Sequence, residues 1–309
     1  MNTVVSSLPE VPVVDYSRLS RVYVVGNGKG GVGKSNTTAH LGALVALDGA
    51  RVLLVDLNGQ GNIGHLLGYA NTEQDDQGRN LFSAVTTGVP LTPIKDVRPG
   101  LDVVAGGHYV RMINSVLQGD AGTHAGVFRS HFGLALALVQ LADQYGLIII
   151  DSPPENQTLL RLALGAARFV IVPMKTDGLS RIGLRDIARD IREMREHNPY
   201  LMLLAVFVFG SGSGSKKIRR ELRKRVSADL GQSGDVLLDE FVRHAETVAD
   251  QSVMYGLLAH ELDAELKNNP KLIAETARAV AQDYDALAEA VLTRAANRQA
   301  EMIEQGVWP

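Results

Sequence analysis

The stretch GNGKGGVGKS, Gly26 to Ser35, constrains this chain more than any other. It follows RVYVVG (Arg21 to Gly26), a β-branched run that reads as a buried strand, and leads into Ser35 to Leu47, which has helical spacing. Two motifs overlap in it. GKGGVG (Gly28 to Gly33) satisfies GxGxxG, and Asp56 ends the next strand about twenty residues on, the pattern of a dinucleotide fold. The longer GKGGVGKS (Gly28 to Ser35) satisfies GxxxxGK[ST], which is the more specific pattern. In that reading the glycines turn backbone N–H groups inward around a phosphate, and the helix N-terminus adds partial positive charge. Gly28, Lys29, Gly30, Gly31, Val32, Gly33, Lys34, Ser35 and Asn36 are then the candidate phosphate-binding residues. Lys34 reaches the β- and γ-phosphates and Ser35 ligates Mg²⁺. One lysine suffices for the cradle, so Lys29 needs a separate explanation.

Further apolar runs frame the loop. RVLLVD (Arg51 to Asp56), LDVVAG, LIIID (Leu147 to Asp151), RFVIVP (Arg168 to Pro173) and LMLLAVFVF read as strands. Helical patterns separate them near 156 to 166 and 178 to 195. Strands alternating with helices predict an α/β fold, a mostly parallel twisted sheet with helices on both faces. Residues 70 to 100 read as loop with a short helix near Leu81 to Thr86, a Gly-rich break falls near 119 to 126, and from about Glu261 the pattern is helical. No repeat or linker divides the chain. Its expected organisation is an irregular arm over 1 to 20, one domain over 21 to 265, and a helical extension over 266 to 309 docked on that domain. LIIIDSPP places Asp151 at a strand end, where a carboxylate supports magnesium beside a phosphate loop.

Composition excludes some chemistry. The chain has no cysteine, so it holds no disulfide, thiolate zinc site or cysteine-bound iron–sulfur cluster. A net charge of -3 gives no global attraction to nucleic acid, so a basic surface must be local. The first twenty residues do not read as a signal peptide, and LMLLAVFVF is too short to span a bilayer as a helix.

KGGVGKS with Lys29 resembles the deviant Walker A motif of the ParA/MinD ATPase family, DLNGQGN (Asp56 to Asn62) its Walker A′ segment, and IIIDSPP its Walker B segment. VIVPMKTDGLSRIGL is similar to the strand–helix unit that follows, and the likeness covers roughly residues 20 to 265. The resemblance implies a P-loop ATPase using ATP and Mg²⁺. It gives catalytic positions at Lys29, Lys34, Asp56 and Asn58 and metal-side positions at Ser35, Asp151 and Asp56. It also explains the extra lysine: Lys29 crosses to the nucleotide of a second copy, so that two ATP molecules are sandwiched in a homodimer. Partition-type members bind DNA without sequence preference in that state. They are cytoplasmic, associate with the nucleoid when ATP-bound, and work with a ParB-like centromere-binding adaptor. The alternative is a MinD-like positioning or scaffold ATPase acting on a membrane or protein assembly. Against a membrane anchor, the C-terminal stretch has apolar Ile273, Val280 and Leu287 amid mixed charge, the look of a helix docked on protein, with Val307 and Trp308 poor support for a membrane role. An amidating cobyrinate synthetase relative is more distant, since no cysteine nucleophile is present.

The candidate DNA surface is KKIRRELRKR, Lys216 to Arg225. Ile218, Leu222, Val226 and Leu230 recur every four residues and form one apolar stripe, which crowds Lys216, Lys217, Arg219, Arg220, Arg223 and Lys224 onto the exposed surface. Two departures from the family pattern matter. Asn58 stands where the family usually has a second aspartate, and Gly59 where it has proline. An amide holds a water but cannot take its proton, so hydrolysis is expected to be weak, with Asp56 and Gln60 left to orient the water.

Overall fold

The buried strands are apolar at consecutive positions because each is covered on both faces. In the computed structural model, which describes residues 13–119, 124–211, 216–230 and 236–309, the strands are β1 (Val22–Val25), β2 (Val52–Asp56), β3 (Ile94–Arg98), β4 (Leu101–Val104), β5 (Leu147–Asp151), β6 (Phe169–Met174), β7 (Met202–Ser211) and β8 (Leu237–Arg243). They form one sheet in the order β3-β4-β2-β5-β1-β6-β7-β8, parallel throughout except for β3 against β4. Alternate residues serve opposite cores, as a period of two requires. Leu53, Val55, Ile148 and Ile150 face one cluster, and Val52, Leu54, Leu147 and Ile149 face the other.

Helices α1 (Lys34–Leu47), α2 (Asn62–Leu67), α3 (Arg79–Thr87), α4 (His108–Gly119), α5 (His124–Val139), α6 (Gln157–Ala166), α7 (Gly178–Met194), α8 (Lys216–Leu230), α9 (Glu246–Tyr255), α10 (Ala259–Leu266) and α11 (Thr276–Glu304) cover the two faces. α1, α2, α9, α10 and α11 lie on one side, and α3 to α8 on the other. Buried apolar area at roughly 25 cal/mol per Å² makes these two layers the main source of stability.

Several sequence expectations need correction. Residues 70 to 100 hold more than a loop and a short helix: α3 runs over nine residues, and β3 forms an antiparallel edge strand. Its sequence IKDVR escapes notice because an edge strand half open to water carries no apolar run. β8 and α9 were likewise unexpected, as LLDEFVR interrupts its apolar residues with two acids. The helical pattern from 261 is two helices, α10 beginning at Ala259 and α11 at Thr276, with Pro270 between them. Part of the Gly-rich break, residues 120 to 123, lies outside the described residues, as do residues 1 to 12 of the arm. From Val13 the arm docks: Val14 and Leu19 are buried, and the Tyr16 hydroxyl donates to the Gly165 carbonyl at 3.0 Å.

Ile273, Val280 and Leu287 are buried in the shared core on the α11 side. Trp308 packs at the lower end of β6, its ring 4.4 Å from the guanidinium carbon of the buried Arg168 and 6.3 Å from the Phe169 ring. Higher up, the Tyr284 ring stacks on His40 of α1 at 3.7 Å and 8°. His40 Nδ1 lies 2.8 Å from the Asn36 carbonyl and Nε2 accepts the Ala259 N–H at 3.0 Å, so the neutral Nδ1–H tautomer satisfies both nitrogens. Burial pulls the His40 imidazole down from 6.5 to about 3.

A depressed histidine contributes stability that is complete above its unfolded value and lost as pH falls toward its folded one. Between pH 7.5 and 5.5 the His40 contribution should fall by about 1.4 kcal/mol. Urea unfolding of the natural protein and of His40→Gln at both pH values measures it. The natural protein should lose about that much more stability on acidification than the variant does, and parallel losses would refute the assignment.

Candidate nucleotide site

β1 lies between β5 and β6, while the chain leaving it passes through α1 to β2 on the far side of β5. A ligand crevice opens at such a reversal, beyond the carboxyl ends of the strands. The loop Gly26 to Gly33 occupies that place. Gly31 and Gly33 have φ of 68° and 83°, a left-handed region that glycine enters without strain. At Gly33 a side chain would also run into the Phe209 ring. No side chain caps the first turn of α1 and no acidic residue lies in it, so its N–H groups and partial positive charge face the loop.

Lys34 is 6% exposed, and its Nζ donates to the Lys29 carbonyl at 2.8 Å. Burial lowers the pKa of its ammonium, against the opposing pull of Asp151 and Glu155. Ser35 Oγ donates to Asp151 Oδ2 at 2.5 Å. Asp151 Oδ1 is buried and accepts no hydrogen bond. Next to it in register sits Asp56, also fully buried. Burial pushes both carboxyls up, and for Asp56 the Asp151 charge adds to the shift. Among the described residues no group of three or more acidic or histidine side chains converges on a metal position. The donors suit a magnesium ion that keeps waters and phosphate oxygens as its other ligands: one serine hydroxyl and one carboxylate with an unused buried oxygen.

The two Asp56 oxygens accept backbone N–H bonds from Asn58 at 2.8 Å and Ile63 at 3.2 Å, which ties the 57 to 63 turn to β2. Asn58 lines the cleft, and its Oδ1 accepts the Gln60 N–H at 3.0 Å. Gly59 has a reason in α4: Arg111 Nε donates to the Gly59 carbonyl at 2.8 Å, and its stem lies where a side chain at 59 would be.

Lys29 points away from its own loop. Its Nζ pairs with both Asp177 oxygens at 3.0 and 3.1 Å and approaches Ser180 Oγ at 3.3 Å. Asp177 is the N-cap of α7 and accepts the Ser180 N–H at 2.7 Å. That bond, followed by Lys29, holds its carboxyl below the usual range. Sequence reasoning missed Asp177, although the Asp-Gly before the helical run Leu179 to Met194 is an N-cap signal. It also missed buried Asn27, which donates to the Pro173 carbonyl and accepts the Lys29 N–H.

The basic run lies in α8. Leu222 and Val226 of the apolar stripe are buried and Leu230 is partly buried; Arg220 and Lys224 are exposed. Arg223 is half-buried and ion-paired with Asp239 at 2.7 Å. The side chains of Ile218, Lys216, Lys217 and Arg219 lie outside the described part of the structure. No helix among the described residues is long and apolar enough to cross a membrane.

The chain matches the AAA domain family (AAA_31) over residues 20–203. It is 28% identical to the chromosome partitioning protein ParA of Caulobacter vibrioides over 285 residues, 91% of this chain and 97% of that one. In fold it is similar to an ATP complex of a McdA variant from Cyanothece (TM-score 0.67, 18% identity, 87% of this chain and 95% of that one). It is also similar to cobyrinic acid a,c-diamide synthase from Mycobacterium smegmatis with a bound ATP analogue and magnesium (TM-score 0.60, 24% identity, 82% and 98%). With its loop, its two strand-end aspartates and its strand order, the chain belongs to the ParA/MinD family of P-loop ATPases.

Proposed function

We propose that this protein is an ATP-dependent dimerising switch for DNA partition. The observation that carries the reading is Lys29, a second loop lysine held outside its own phosphate cradle by an ion pair with Asp177. Lys34, Ser35 and the turn of N–H groups bind the β- and γ-phosphates, and Ser35 with Asp151 holds magnesium. Bound there, magnesium neutralises phosphate charge and offsets the two buried carboxyls. Lys29 is 29% exposed and Asp177 44%, so their pair is worth at most about 1 kcal/mol. The phosphate cluster of a second copy outcompetes so weak a hold, which makes dimerisation depend on nucleotide. The likeness to the Caulobacter chromosome partitioning protein supports a partition role; a ParB-like adaptor as partner and the nucleoid as location of the ATP form complete this reading. In that dimer Arg220 and Lys224, one turn apart and exposed on α8, contact DNA phosphates along with the other cations of the run. Asn58 slows hydrolysis, because an amide cannot accept the proton of the attacking water.

Lys34→Ala should abolish ATP binding, while Lys29→Ala should keep most of it and lose the ATP dimer. Asp177→Asn keeps a good helix cap but removes the charge, and should strengthen ATP-dependent dimerisation by up to about fivefold. Nucleotide titration and light scattering on the three variants test this. Normal ATP dimers from Lys29→Ala would refute the sandwich.

Arg220→Glu with Lys224→Glu should weaken ATP-dependent binding to random duplex DNA and lower the salt slope by about 2, leaving ATP affinity unchanged. A salt titration of DNA binding is the measurement. An unchanged slope would place the DNA surface on another element.

A further inference from the structure

The nucleotide cleft, about 580 Å³, has only two titratable side chains among the described residues that line it: Lys34 and His65. Lys34 Nζ is buried and donates to the Lys29 carbonyl, a placement suited to stabilising negative charge. Asp56 spends its oxygens on the N–H groups of Asn58 and Ile63. Asp151 faces Ser35. Asn58 and Gln60, which line the cleft beside them, are amides and cannot act as bases. A neutral imidazole has one nitrogen free to accept a proton.

His65 sits on the wall of this cleft. It lies three residues after Asn62 on α2, so the two share a helix face, and both line the cleft. The rest of α2 is pinned, with Ile63, Leu66 and Leu67 buried. Its C-terminal Gly68 has φ 75° and packs directly on the Gly256 backbone after α9, while Arg98 Nη1 donates to the Leu67 carbonyl at 3.2 Å. A six-residue helix fixed at this end holds the His65 backbone still and leaves the exposed imidazole free to turn into the cleft.

We propose that His65 accepts the proton of the water that attacks the γ-phosphate, the task that Asn58 cannot perform. This rests on the ATPase reading above. The water oxygen bonds to the γ-phosphorus as the bond from that phosphorus to the β–γ bridging oxygen breaks. ADP leaves with the bonding electron pair. One water proton passes to His65, which becomes imidazolium and releases it to solvent after phosphate departs. The products are ADP, inorganic phosphate and a proton.

The test is single-turnover phosphate release at saturating ATP by the full chain, with ATP affinity measured in parallel. His65→Ala and His65→Gln should each slow release about 100-fold at unchanged ATP affinity, since glutamine keeps a hydrogen bond but not a base. Added imidazole should restore part of the rate to His65→Ala. Asn58→Asp should supply its own base, so that adding His65→Ala to it costs little, a strongly non-additive cycle. Equal rates in natural protein and His65→Ala would overturn the assignment alone. So would a loss that imidazole does not relieve and that persists in the Asn58→Asp background, or a loss of ATP binding. A natural protein that releases no phosphate would overturn the ATPase reading and this inference together.

Discussion

Two carboxyl groups at the same level of a parallel sheet govern this molecule. β1, β5 and β2 pair in parallel register, so Val25, Asp151 and Asp56 end side by side, and the phosphate loop leaves from that line. Neither carboxyl is exposed, burial raises the cost of ionising both, and the Asp151 charge raises it further for Asp56. The site therefore asks for positive charge. Lys34 supplies one unit and the N-terminus of α1 a fraction; in the proposed function a divalent ion on Ser35 and Asp151 supplies the remainder. Asp56 meets the same demand differently, through two backbone N–H bonds that shape the turn carrying Asn58. The site's electrostatics and its loop geometry thus have one origin.

Much of this was legible in the sequence because the chemistry is local in the chain. GKGGVGKS, the strand-end aspartates and the apolar runs each announce themselves within about ten residues. The pairing of Lys29 with Asp177 does not, since 148 positions separate them and the pairing of β1 with β6 brings the loop to the start of α7. His65 gave no signal, because a lone histidine on a short helix has no pattern around it. The edge strands β3 and β8 were missed for a different reason. Polar residues suit an edge, where they discourage pairing with another chain, and they also erase the hydrophobic signature of a strand.

The α11 side of the sheet joins the nucleotide helix to the rest of the fold. His40 follows the phosphate loop by two turns of α1 and stacks on Tyr284, while Arg243, at the end of β8, pairs with Asp283 at 2.6 Å. Both contacts meet α11 within one turn. A shift of α1 that followed phosphate binding would have to be absorbed there, since a stacked ring pair and an ion pair tolerate little sliding.

The seating of Trp308 on Arg168 has a practical consequence. The chain contains a single tryptophan, so its indole emission comes from one known place. An indole against a guanidinium beneath β6 sits in a field quite unlike water. Its colour and intensity therefore report whether the turn after α11 is docked, at the end of the sheet opposite the glycine-rich loop. The protein carries its own optical gauge of how far events in the cleft travel, with no label attached.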